Sequence, residues 1–402
     1  MLLSIALMLS VGMFTGWICK KVQIPSLLGM ILTGIVLGPY VLNLIDGSIL
    51  GISSDLRRIA LIIILTRAGL SLDLEDLKKV GRPAILMCFV PACFEMAGMM
   101  LLAPRLLGVR VIDAAVMGAV VAAVSPAVIV PKMLKLMEEG YGTNQGIPQL
   151  ILAGASVDDV FVIVMFSAFT GLAQGESVSP MSFVKIPFSI IIGIAVGVLC
   201  GFILAKYFEQ IHIRDTAKVM ILLSISFILV TVEDSYSSVI PFSGLIAVMC
   251  VGIALQKRRP IVADRLSLKF NKLWVAAEII LFVLVGATVD LKYVKSAGLA
   301  AIALILGVLV FRMAGVLVCM IKTPLNRKER FFCMMAYMPK ATVQAAIGGV
   351  PLAMGLDCGN MVLTVAVLAI LITAPVGAFL IEISYRKLLT TSISSSRASS
   401  RA

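Results

Sequence analysis

Charge is scarce in this chain. Only 14% of its 402 residues are Asp, Glu, Lys or Arg, and 60% are hydrophobic. Soluble domains average about 25% charged and about 45–50% apolar. A water-soluble globular protein is excluded, and the mean hydropathy of +1.08 agrees. Histidine occurs once, at His212, in a stretch that reads as a solvated loop, so a His-based metal site is excluded. The eight cysteines stand singly, with no CxxC. They read as small buried thiols, not as a disulfide framework or a thiolate metal centre. Short segments of alternating hydrophobicity are missing, which excludes an outer-membrane barrel.

What is present is a succession of long apolar runs between residues 2 and 385. A helix needs roughly 20 residues to cross a hydrocarbon core. The expected fold is all-α and polytopic, with about thirteen transmembrane helices, at 2–18, 24–42, 58–72, 81–103, 112–131, 147–171, 180–205, 217–232, 236–255, 273–289, 296–321, 329–355 and 361–384. Residues 2–18 have neither a preceding Lys or Arg nor a small-residue cleavage site, so they read as a retained first span.

A net charge of +12 would suggest nucleic acid in a soluble protein. Here the basic residues sit in short loops. With the N-terminus outside, 24 Lys and Arg fall on the inner side, 7 on the outer side and three within spans. That bias predicts an outside N-terminus and a cytoplasmic C-terminus, and the expected location is the cell (inner) membrane. Its partners are the lipid bilayer and small ions, with no nucleic acid and no cofactor. The Ser-rich tail, residues 386–402, reads as disordered.

Two spans are interrupted. The fifth contains Ser125-Pro126 and Pro131; the twelfth contains Met338-Pro339-Lys340-Ala341-Thr342-Val343-Gln344 and then Pro351. Interior proline removes a backbone hydrogen bond, and in lipid such breaks survive only inside protein or beside a wet cavity. The breaks lie seven spans apart, an odd offset, so the two segments run in opposite directions. This predicts inverted repeats at 1–171 and 217–385, joined by a linking span at 172–216, with the transport site where the broken helices meet.

Ionisable residues within spans are expensive and mark function by default. Five lie deep: Glu95, Asp158, Asp159, Arg312 and Lys340. Neighbouring residues on a helix point about 100° apart, so Asp158 and Asp159 can face different surroundings. Burial and mutual repulsion disfavour two ionised carboxylates side by side. Their oxygens also suit a hard cation, so a proton and a small cation compete for one site. Competition combined with alternating access gives antiport. Ser125, Ser156, Thr342 and Gln344 are further oxygen donors near the breaks. Lys340 would neutralise half-helix carbonyls or pair with an aspartate. Glu95 and Arg312 occupy equivalent repeat positions and are expected to form a buried ion pair. Arg67 and Glu278 read as structural.

Three strings, Val124 to Pro131, Ser156-Val157-Asp158-Asp159 and Met338 to Gly348, resemble the NHA branch of the monovalent cation/proton antiporters. So do Arg67-Ala68-Gly69-Leu70 and Leu368 to Pro375. The resemblance covers essentially the whole chain. It implies a homodimer with a mobile core domain and a separate dimerisation domain, exchanging Na⁺ (or Li⁺, with K⁺ less favoured) for protons. It also implies that Asp159 is the principal cation ligand, that Asp158 assists, and that Glu95 pairs with Arg312. Ser125 stands where bacterial relatives often carry Asp or Thr.

Three other functions compete. A sodium-coupled organic-anion symporter would need a roomier site with anion-binding half-helix ends, for which Lys340 could serve. An intramembrane aspartyl protease needs carboxylates converging from different helices, whereas these are consecutive on one. A channel would pass non-saturating currents.

Overall fold

The computed structural model describes residues 1–22, 24–72, 81–174, 180–211, 213–236, 242–289 and 291–391. His212, Asp73, Asp290 and the tail beyond 391 lie outside the described residues, as do the side chains of Ser156 and of 180–187. In order, the helices are α1 (Leu2–Lys21), α2 (Ser26–Leu37), α3 (Gly47–Gly51), α4 (Ser53–Ser71), α5 (Arg82–Met87), α6 (Val90–Leu107), α7 (Val111–Ala122), α8 (Pro126–Glu138) and α9 (Ile147–Ala173). They continue with α10 (Pro180–Gln210), α11 (Asp215–Tyr236), α12 (Gly244–Arg258), α13 (Pro260–Ala287), α14 (Leu291–Cys319), α15 (Arg327–Ala336), α16 (Thr342–Ile347), α17 (Val350–Ala353) and α18 (Gly359–Leu388). Among the described residues, nine helical stretches are long and apolar enough to cross a membrane.

All thirteen expected windows contain helix, but not all as expected. The window 81–103 divides at Cys88 and Phe89. Pro91 has no N–H to offer Met87 O four residues back; the Tyr337 hydroxyl donates to that carbonyl instead, at 3.0 Å. The window 273–289 starts earlier, at Pro260, so Arg265, Lys269 and Lys272 ride on a helix and not a loop.

The chain forms two compact units. One comprises Met1–Gly51, Glu75–Val162 and Phe282–Ala402; the other comprises Ile52–Leu74 and Ile163–Leu281. In lipid no hydrophobic force draws helices together, so small residues at crossings and close backbone contact do that work. In the first unit, a methyl on Gly34 would lie 1.9 Å from Val283 O, and one on Gly286 would lie 2.1 Å from Ile31 O. In the second, a methyl on Gly69 would fall 2.3 Å from Met249 O. Large apolar side chains such as Ile191, Leu199, Leu299 and Phe379 are exposed, whereas Glu95, Asp158, Arg312 and Lys340 are fully buried. This is the reverse of a soluble protein and marks a multi-pass membrane protein.

Candidate functional site: two crossed helix breaks

The site is assembled within the first unit. Helix α7 ends at Ala122, residues 123–125 run non-helically, and α8 restarts at Pro126. Helix α15 ends at Ala336, residues 337–341 are unwound, and α16 restarts at Thr342. Pro126 loses nothing at a helix start, where its missing N–H would have no intrahelical partner. Pro339 biases Met338 away from helical geometry.

The two breaks are bonded to each other. Ser125 N donates to Pro339 O at 2.8 Å. Gln344 Nε2 donates to Val121 O at 3.1 Å and Ala123 O at 2.7 Å. Lys340 N donates to Thr373 Oγ1 of α18 at 2.9 Å. The carbonyls of Val121, Ala123 and Pro339 thereby find donors on the opposite break.

Arg312, from α14, serves both breaks at once. Its Nε donates to Tyr337 O at 2.7 Å, at the end of α15. Its Nη1 donates to Ala122 O, at the end of α7, and to Glu95 Oε2 at 2.8 Å. Its Nη2 donates to Asp158 Oδ2 at 3.0 Å, and the guanidinium stacks 5.0 Å from the Tyr337 ring centroid. Helix C-termini carry partial negative charge, so one cation neutralises two of them. Lys340 Nζ adds a 2.5 Å contact to Glu95 Oε2 and lies 3.4 Å from Ala122 O.

Asp158 and Asp159 sit on α9 in different surroundings. Asp158 Oδ2 accepts from Arg312 and from Val124 N at 2.8 Å. With Arg312 and Lys340 as cations and Glu95 and Asp158 as anions, these four buried charges cancel. Asp159 stands outside that balance: it retains 9% exposure against 0% for Asp158, and no salt bridge to it is found among the described residues. Five buried oxygens at the breaks and aspartates lack a hydrogen-bond partner among the described residues: Ser125 Oγ, Asp158 Oδ1, Asp159 Oδ1, Thr342 Oγ1 and Gln344 Oε1. Leaving such an atom unpaired costs about 1–3 kcal/mol. These are hard donors of the kind that hold an alkali cation.

The breaks thus carry Ser125, Thr342, Lys340 and Gln344, with Glu95, Arg312 and Asp158 joined to them. Lys340 meets Glu95 and a half-helix carbonyl, not an aspartate. The contact between Asp158 and Arg312 follows the alternative reading of the aspartates, as partners of a buried cation, for Asp158 alone; the roles of Tyr337 and Thr373 and the donation by Gln344 were not anticipated. Gln344 was signalled by its place in the break; Tyr337 and Thr373 carried no signal beyond proximity to Pro339 and Pro375. Arg67 has Glu278 as an electrostatic partner in the other unit's interior.

Paired discontinuous helices crossing beside a buried carboxylate define a secondary carrier. The chain belongs to the transmembrane sodium/hydrogen exchanger family, whose model matches residues 6–385. It is 33% identical to sodium/hydrogen exchanger 9B2 of Xenopus tropicalis over 403 residues, covering 94% of this chain and 73% of that protein. Human exchanger 9B2 is 34% identical, over 91% of this chain and 70% of its own length. Human exchanger 9B1 is 30% identical, over 91% and 73%. In fold the chain is similar to the sodium proton antiporter MjNhaP1 from Methanocaldococcus jannaschii, with a TM-score of 0.85 at 21% identity over 96% of this chain and 97% of that one.

Proposed function

We propose that this chain exchanges Na⁺ for H⁺ across a membrane by alternating access, with Asp159 as the group the two ions share. The observation that carries this reading is the charge balance. Glu95, Asp158, Arg312 and Lys340 neutralise one another, so an ionised Asp159 is the surplus charge, and one Na⁺ or one H⁺ cancels it. The unpartnered oxygens of Asp158, Ser125 and Thr342 supply further ligands, as does Ser156, two residues before Asp158 in sequence. Li⁺ is accepted by the same hard donors, and K⁺ less readily. No covalent chemistry is required.

Asp158 is held by Arg312 and Val124 N, so it orients the site and offers Oδ1 to the cation. Glu95, Arg312 and Lys340 form the brace that keeps the two breaks together. The reading places the protein in the cell (inner) membrane as a homodimer, N-terminus outside, with inverted repeats at 1–171 and 217–385. An organic-anion symporter finds no support, because the cationic side chains at the breaks are already engaged by carboxylates and carbonyls.

The test is transport in proteoliposomes with an imposed Na⁺ gradient and an internal pH dye. Asp159→Asn should abolish Na⁺-dependent proton movement while the protein still elutes as a folded species. Exchange by that variant at the wild-type rate would overturn the assignment.

A further inference from the structure

The second unit holds a pocket of about 570 Å³ that plays no part in the site above. It lies where α10 ends and where α11 and α13 begin, and its lining includes Phe208, Arg214, Asp215, Lys218, Arg259 and Arg265. Four basic side chains therefore face one carboxylate. Asp215 is divided between Lys218, at 3.5 Å, and Arg265, at 3.3 Å. Glu209 meets Arg259 at 3.0 Å, but is itself 56% exposed and does not line the pocket. Even counting Glu209, the neighbourhood keeps a positive surplus.

Lys218 is the telling residue. It is only 5% exposed, with its ammonium 5.5 Å from the Phe208 ring centroid. Holding a lysine this way against a half-shared carboxylate is costly unless an anion joins it. Arginine forks bind phosphate oxygens in pairs, and the N-terminal ends of α11 and α13 add partial positive charge.

We propose that this pocket binds the phosphate of an anionic phospholipid headgroup. The phosphate chemistry follows from the lining. The lipid source follows from the same region: Tyr207 on α10, Ile211 just past its end, Met220 on α11, and Ile261 and Leu268 on α13 are exposed apolar side chains. Ile261 alone is 74% exposed, beside the pocket-lining Val262. Acyl chains would lie along this surface while the headgroup occupies the basic pocket, as basic pockets between membrane helices do.

The experiment uses the full chain in phosphatidylcholine nanodiscs, with and without phosphatidylglycerol, and counts retained lipid by native mass spectrometry. The wild type should retain phosphatidylglycerol in preference to phosphatidylcholine. Arg214→Gln with Arg265→Gln, both on exposed side chains, should weaken retention about fivefold per charge removed. Lys218→Gln should weaken it comparably, whereas Lys328→Gln, an exposed cation on α15, should not. Equal retention by the wild type and the double variant would overturn the site. If inorganic phosphate alone raised the melting temperature in phosphatidylcholine discs as much as phosphatidylglycerol does, the lipid assignment would fall.

Discussion

Replacing Arg312 by methionine should destabilise the fold by about 4 kcal/mol. Removing one member of a buried ion pair usually costs about 3–5 kcal/mol, because the other is left charged and unpaired. Here the lower end applies: Glu95 keeps Lys340 at 2.5 Å and Asp158 keeps Val124 N at 2.8 Å. That is about 3 kcal/mol. The carbonyls of Ala122 and Tyr337 also lose their donor, at about 0.6 kcal/mol each for a hydrogen bond in a membrane protein. With an unfolding entropy of about 2.1 cal/mol/K per residue over 402 residues, 4 kcal/mol lowers the melting temperature by about 5 °C. Arg312→Lys keeps the charge but cannot span four acceptors, so it should fall between. Combining Arg312→Met with Glu95→Met removes the stranded charge and should recover part of the loss. The assay is the folded fraction surviving heating in detergent, read by fluorescence-detected size exclusion. An Arg312→Met variant melting with the wild type would refute the reasoning.

Other expectations follow from the same geometry. Ser125→Ala and Thr342→Val should each raise the KM for Na⁺ about fivefold with little change in maximal rate, for a ligand worth about 1 kcal/mol; an unchanged KM would remove that side chain from the coordination. If Asp159 alone trades one Na⁺ for one H⁺, a valinomycin-clamped voltage should not alter the initial rate; acceleration by voltage would mean that Lys340 or Asp158 also releases a proton. The apparent KM for Na⁺ should rise about tenfold per unit of acidification below the site's titration, because the cation needs the deprotonated ligand. Gly286→Ala should abolish the monodisperse elution peak, since its methyl would meet Ile31 O at 2.1 Å, whereas Gly298→Ala, with open space around it, should not.

Much of this was legible in the sequence because membranes impose simple rules. Apolar length located the helices, and interior prolines located both breaks. The expected equivalence of spans four and eleven paired Glu95 with Arg312, and their charged atoms lie 2.8 Å apart. What stayed hidden had physical reasons. Pro91 interrupts a run that is apolar on both sides, so hydropathy could not reveal the turn at Cys88 and Phe89. Helix α13 begins at Pro260 and carries Arg265, Lys269 and Lys272 in its first half, and a charged start gives no apolar signal from which its beginning could be read. The division between Asp158 and Asp159 depends on which of two faces of α9 meets Arg312, and that is a property of packing between distant segments.

The arginine fork also has a consequence for biogenesis. Ala122 and Arg312 are 190 residues apart, a gap that a ribosome working at about 5–20 residues per second needs roughly ten to forty seconds to translate. Until then the early half sits in the membrane with Glu95 lacking both its cations, Asp158 holding only Val124 N, the Val121, Ala122 and Ala123 carbonyls uncapped, and Met87 O unbonded, for their other partners lie in Arg312, Tyr337, Lys340 or Gln344. The nascent half therefore cannot lock on its own, and insertion of the late segments is the step that commits the molecule to its fold.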